Sequence, residues 1–158
     1  MRAVTVREIN QELTYRTPKE LRDLCLRLAR FKKENKELLT YLLFESSDEQ
    51  SYIESVKREI DDQFAHINRK SYYLMKKSVR KILSTTRKYI RYSLKKQTEV
   101  ELLIYFCTKL KALSPSIKKS PGLLSLYNRQ IDGIIVKVSL LHEDLRHDYG
   151  LELNELSL

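Results

Sequence analysis

The stretch SYYLMKKSVRKILSTTRKYIRYSLKKQ, residues 71–97, decides the fold class, and it contains neither glycine nor proline. At about 100° per residue, Tyr72, Met75, Val79, Ile82, Leu83, Tyr89 and Ile90 gather on one side of a helix. The other side is cationic. Between His66 and Thr98 stand Arg69, Lys70, Lys76, Lys77, Arg80, Lys81, Arg87, Lys88, Arg91, Lys95 and Lys96, without a single Asp or Glu. All of these except Lys96 fall within an arc of roughly 140°.

Like charges one helical turn apart cost a few tenths of a kcal/mol per pair, and here Lys76 repels Arg80, Lys77 repels Lys81, and Arg91 repels both Arg87 and Lys95. A helix selected for stability alone would interleave acids. Cations along about 30 Å of helix suit phosphates spaced on a nucleic-acid backbone, and Tyr73 on the same arc is placed to stack a base. The expected polyanion-binding residues are therefore Arg69, Lys70, Tyr73, Lys76, Lys77, Arg80, Lys81, Arg87, Lys88, Arg91 and Lys95. Nucleic acid or another polyanion is the first candidate ligand. The alternative is an interaction scaffold in which an acidic protein or a second copy of the chain covers the face. The plainest reading is a solvated surface neutralised by the preceding helix, which carries Glu54, Glu59, Asp61 and Asp62. If Ile53, Val56, Ile60, Phe64 and Ile67 face the core, only Glu59 and Asp61 flank the seam, so a positive surplus is expected to remain.

Charge elsewhere shows how local this feature is. The net is −1 over residues 1–65, +13 over 66–119 and −3 over 120–158, within a total of +9. An evenly solubilising surface would not divide in this way.

Working outward, the remaining segments also read as helices. Thr17-Pro18-Lys19-Glu20 is a capping box with proline at the first helical position, followed by an apolar stripe of Leu21, Leu24, Cys25, Leu28 and Phe31. Residues 18–45 read either as one long helix or, preferred slightly, as a hairpin bending near Lys33 to Asn35. Ser47 and Gln50 form the next expected cap, opening a helix whose apolar face runs Tyr52, Ile53, Val56, Ile60, Phe64 and Ile67 and which ends near Asn68. Thr98-Glu99-Val100-Glu101 is a further capping box, opening a helix apolar nearly all round to Leu113, which belongs in the middle of the fold. After Ser120-Pro121-Gly122, the spacing of Leu124, Tyr127, Ile131, Ile134, Val138, Leu141 and Leu145 predicts one last helix capped by Gly150, with close packing at Gly133. Residues 1–16 and 151–158 are expected to be loosely ordered.

The fold expected is all-α, with five or six antiparallel helices in an irregular bundle or a short HEAT-like stack of helical hairpins. At 158 residues the length prior gives one domain. No apolar run approaches the roughly 18 to 20 residues of a membrane span, and the first residues do not read as a secretory signal. Cys25 and Cys107 lack a metal-type partner spacing and read as buried, reduced thiols, which places the chain in the cytoplasm.

Signals for chemistry are sparse. In His142-Glu143-Asp144-Leu145-Arg146-His147-Asp148 the two histidines are five residues apart and point about 140° from each other, so they do not make a zinc-protease helix. His66, at a helix end, reads as a cap. There is no glycine-rich phosphate loop or nucleophile elbow, and the expectation is a non-enzymatic module with no metal and no cofactor.

Two segments, Leu28-Ala-Arg-Phe-Lys-Lys-Glu-Asn-Lys-Glu-Leu-Leu-Thr-Tyr-Leu-Leu-Phe-Glu45 and Thr98-Glu-Val-Glu-Leu-Leu-Ile-Tyr-Phe-Cys107, resemble parts of a small family of uncharacterised all-helical bacterial proteins. The resemblance implies a helical, cytosolic protein. It brings no activity, ligand or site residue.

Overall fold

Thr17 and Glu20 cap each other as the pattern predicts: the Thr17 hydroxyl accepts from the Glu20 N–H at 3.3 Å, and the Glu20 carboxylate accepts from the Thr17 N–H at 2.8 Å. The same reciprocal box joins Thr5 and Glu8. Residues 1–16, expected to be loose, therefore carry a helix. The computed structural model describes all 158 residues and is helical throughout, without a strand. The helices are α1 (Val6–Thr14), α2 (Pro18–Phe31), α3 (Lys33–Thr40), α4 (Glu49–Ala65), α5 (Tyr72–Ser93), α6 (Lys96–Lys111), α7 (Pro121–Val138) and α8 (Glu143–Glu155). A π-helical turn, Tyr41–Glu45, follows α3, and a short 3-10 turn, Ile117–Lys119, precedes α7.

Eight helices replace the five or six expected, for three local reasons. α1 adds one. Lys32 adopts an extended conformation (φ −140°, ψ 143°) and separates α2 from α3, close to where a bend was expected. The Asn35 amide reaches back across that break to donate to the Leu28 carbonyl at 2.8 Å. The expected last helix also divides: α7 ends at Val138, and a new cap at His142 opens α8. Gly150 consequently lies inside α8 rather than capping it. A Cβ at Gly133 would meet nothing within 4 Å, so no close packing requires glycine there.

The chain gathers into two compact units, Met1–Phe44 and Glu45–Leu158, where length alone reads one domain. In the first unit, Tyr41 is buried, but no side chain of α1, α2 or α3 is. Leu24, Leu28 and Phe31 of the predicted stripe are exposed, and so is Cys25, against the expectation of a buried thiol. The helical period of this stripe was correct. Burial did not follow from it.

The second unit holds the core. α6 packs on α4, α5 and α7, and Val100, Leu102, Phe106, Cys107 and Leu110 have no measurable exposure, in keeping with a helix that is apolar nearly all round. α4 buries Tyr52, Ile53, Val56, Ile60 and Phe64, the predicted face, although its last residue is Ala65, with His66 as the cap, rather than Asn68. Its cap is Asp48, whose carboxylate accepts from the Ser51 N–H, not the Ser47–Gln50 pair. α5 buries Met75, Val79, Ile82, Leu83 and Ile90, together with Thr86 and Tyr92. Each such aliphatic side chain contributes roughly 1.5–3 kcal/mol by leaving water. α6 begins at Lys96, and Thr98, expected as its cap, is instead a buried side chain.

The last residues are docked as well. Leu156 is 4% exposed, the Tyr127 hydroxyl donates to its carbonyl at 2.6 Å, and the Lys111 ammonium donates to the carbonyls of Glu155 and Ser157, each at 2.8 Å. No helix is long and apolar enough to cross a membrane.

Candidate anion-binding face on α5

Ser71 opens α5, its hydroxyl accepting from the Leu74 N–H, and Leu94 closes it in the left-handed region at φ 58°. The helix is thus shorter than residues 71–97. Lys95 is the N-terminal cap residue of α6, and its ammonium pairs with Glu49 at 2.8 Å. Arg69 and Lys70 precede α5 and are exposed. Tyr73, in the first turn, is 77% exposed, an aromatic face available to a ligand.

Along the helix, Lys77, Arg80, Lys81, Arg87 and Arg91 are exposed, while Lys76 and Lys88 are half-buried. The Lys88 ammonium stands 4.7 Å from the centre of the Tyr89 ring. Lys76 runs over Gly122 in the first turn of α7, where a Cβ would come within 2.7 Å of its ammonium. A helix N-terminus is itself electropositive, so this placement adds to the local positive charge rather than relieving it.

The acids of α4 leave most of this face without a counter-ion: Glu49 pairs with Lys95 at the end of the face, exposed Asp62 pairs with no cation within 4 Å, and the other three have partners elsewhere. Glu54 pairs with Lys57 at 3.1 Å, and Lys57 also reaches Glu101 of α6 at 2.8 Å. Asp61 turns to α6, pairing with Lys109 at 2.8 Å and accepting from the Tyr105 hydroxyl. Burial alone would raise the Asp61 carboxyl; these two donors outweigh it and hold the group below the ordinary carboxylate value. Glu59 accepts from Gln63 on its own helix. Glu49 accepts from the hydroxyls of Ser93 and Thr98 besides pairing with Lys95. Arg69, Lys70, Lys77, Arg80, Lys81 and Arg91 meet no carboxylate within 4 Å.

One region of the face is concave. A groove of about 480 Å³ lies between α5 and α7, lined by Arg80, Leu83, Ser84, Arg87, Arg91, Leu126, Arg129 and Gln130. Arg80, Arg87 and Arg91 are seven and eleven residues apart, which keeps them within about 40° of one another on the helix. Across the groove, Gln130 is buried, and its carbonyl oxygen accepts from Arg87 Nη2 at 2.9 Å. Comparison with protein-family models, curated protein sequences and solved structures finds no match to the chain.

Arg129, Gln130 and Ser84 were missed in the sequence. Arg129 had one signal, since it is the only basic residue between Lys119 and Lys137. Gln130 lies one position from the apolar spacing read for the last helix, and only the actual register of α7, with Leu123, Leu126, Tyr127, Gln130 and Ile134 inward, brings it under Arg87.

The other sequence signals do not assemble. His142 caps α8 beside Asp144, and both are exposed. His66 meets the Asp62 carbonyl at 2.7 Å, in accord with a capping role. No group of three His, Cys, Asp or Glu side chains is arranged to hold a metal ion.

Proposed function

We propose that the chain is a non-enzymatic helical binding module whose cationic surface, centred on α5 and preceded by Arg69 and Lys70, takes up nucleic acid. One observation carries the reading: Glu54, Glu59 and Asp61 of α4 meet partners other than the α5 cations, and Lys77, Arg80, Lys81 and Arg91 have no carboxylate within 4 Å. Guanidinium and ammonium groups held in this way favour phosphate oxygens, and Tyr73 offers a stacking surface at one end of the row. Antiparallel stacking of helical hairpins, expected from the short connections, belongs to the same proposal.

The experiment is an anisotropy titration with labelled duplex and single-stranded oligonucleotides at low and moderate salt. If a handful of cations meet phosphates, duplex affinity falls with salt at a log-log slope of about −4 to −6. Changing Arg80, Arg87 and Arg91 together to glutamate abolishes binding. Tight binding by that variant, or none by the parent, overturns the reading.

A second reading, association with another copy of the chain, is favoured by the apolar stripe of residues 1–44. Val6, Ile9, Leu13, Leu24, Leu28 and Phe31 are all exposed there. Charges of both signs, Glu8, Glu12, Glu20 and Asp23 with Arg16 and Arg27, line the groove of about 840 Å³ beside that stripe. A two-fold pairing can match such a surface with itself. Light scattering that shows an oligomer, with no nucleic-acid binding, favours this reading over the first.

A further inference from the structure

We infer that the groove between α5 and α7 seats a single phosphate group, with Arg129 completing a set of four guanidiniums supplied by Arg80, Arg87, Arg91 and Arg129. The inference deepens the nucleic-acid reading and rests on it for the source of the phosphate. Four guanidiniums border a space of about 480 Å³, and no carboxylate lines it. Like charges brought together on two helices repel, and none of the four pairs with an acid within 4 Å. A bound anion removes that penalty, and planar guanidiniums present paired N–H donors that match phosphate oxygens.

One of the four guanidiniums is also held in place by a hydrogen bond to the groove wall. Gln130, 8% exposed, fixes the Arg87 head from below, and its own amide donates to the Leu126 carbonyl at 3.4 Å, so the clamp is tied to the α7 backbone. Leu83 and Leu126, both buried, supply apolar wall, and the exposed Ser84 adds a hydroxyl. Arg129 Nε reaches only the Ser125 carbonyl of its own helix, at 3.4 Å, which leaves its Nη groups available to a ligand. A volume of this size accommodates one phosphate and part of the attached molecule, rather than a length of duplex.

The test compares Arg129→Gln with Lys77→Gln. Each removes one exposed charge, but Lys77 lies outside the groove. Both variants are first shown to unfold at the parent's denaturant midpoint. The probes are inorganic pyrophosphate, followed by calorimetry, and single-stranded oligonucleotides with and without a 5′-phosphate, followed by anisotropy. Losing charge-assisted hydrogen bonds weakens phosphate binding by about ten- to a hundredfold, so Arg129→Gln should lose oligonucleotide and pyrophosphate affinity to that extent while Lys77→Gln loses only about two- to threefold. A preference of the parent for 5′-phosphorylated oligonucleotide assigns the seat to a terminal phosphate, and equal binding assigns it to an internal phosphodiester. Equal, small losses in the two variants overturn the seat and leave the nucleic-acid reading standing. Arg129-dependent pyrophosphate binding without oligonucleotide binding overturns the nucleic-acid reading and leaves the seat. No binding of any probe by the parent overturns both.

Discussion

Arg87 Nη2 lies 2.9 Å from Oε1 of Gln130, so the guanidinium at the centre of the α5 row is fixed by a buried amide on α7. The carboxamide serves both the cation and its own helix, which makes its removal informative. Gln130→Leu keeps much of the volume and exchanges a paired polar group for an apolar one, so stability should change by less than about 1.5 kcal/mol. Arg87 then regains rotamer freedom that binding must freeze, and oligonucleotide affinity should fall by about threefold. Denaturant unfolding and anisotropy on the same variant separate the two effects. Unchanged affinity would mean that Gln130 orders nothing the ligand uses.

Glu49 joins the start of α4 to the α5–α6 connection. It accepts from Thr98 Oγ1 at 2.6 Å and from the Ser93 hydroxyl, and it pairs with Lys95 at 2.8 Å. Thr98 is 1% exposed. Glu49→Ala strips that hydroxyl of its acceptor and should cost about 2 kcal/mol in urea unfolding, whereas Glu49→Gln, which keeps an acceptor oxygen, should cost about half as much. Equal losses from the two substitutions would assign the effect to Lys95 and the charge.

These two residues show why some features were legible in the sequence and others were not. The face of α4, most of the buried face of α5 and the Thr17 cap are set by local spacing and short-range hydrogen bonds, and those rules operate on the bare chain. The Thr5–Glu8 box has the same pattern as Thr17–Glu20 and was legible in principle, although residues 1–16 were expected to be loose. Which acid meets which cation depends on how the helices rotate against one another. Asp61 was expected beside α5, and the register of α4 on α6 delivers it to Lys109 and Tyr105 instead. The same long-range choice places Arg129 and Gln130 under α5, where no spacing rule reaches. The division of the final helix near Leu140 was hidden because the apolar period runs straight through the break.

The C-terminal residues give a third test. Leu156 is 4% exposed and its carbonyl accepts from the Tyr127 hydroxyl, which burial pushes up to about 12 and which therefore remains a donor throughout the neutral range. Leu156→Ala should cost about 2–4 kcal/mol through lost burial and the cavity left behind. Tyr127→Phe removes one hydrogen bond and should cost about 1 kcal/mol. If Leu156→Ala unfolds at the parent's urea midpoint, the tail is not part of the cooperative structure.

Asp61 sets a pH dependence whose sign follows from its environment. Burial would raise its carboxyl, but the hydrogen bonds from Lys109 and Tyr105 prevail and lower it from the ordinary 3.8. A carboxyl lower in the folded chain than in the unfolded one contributes stability above the unfolded value, and loses it as pH falls through the folded one. Asp61→Asn isolates the charge, because the carboxamide oxygen can still accept from Tyr105. The parent should therefore exceed this variant in stability by a constant amount from about pH 7 to pH 5, and the gap should close below about pH 4. It should also be small, since solvent reaches 41% of the Asp61 side chain, and should narrow further in about 1 M salt. Urea midpoints at pH 7, 5, 4 and 3 measure it. A gap that persists undiminished at pH 3 would show that the ion pair with Lys109 is not what the substitution removes.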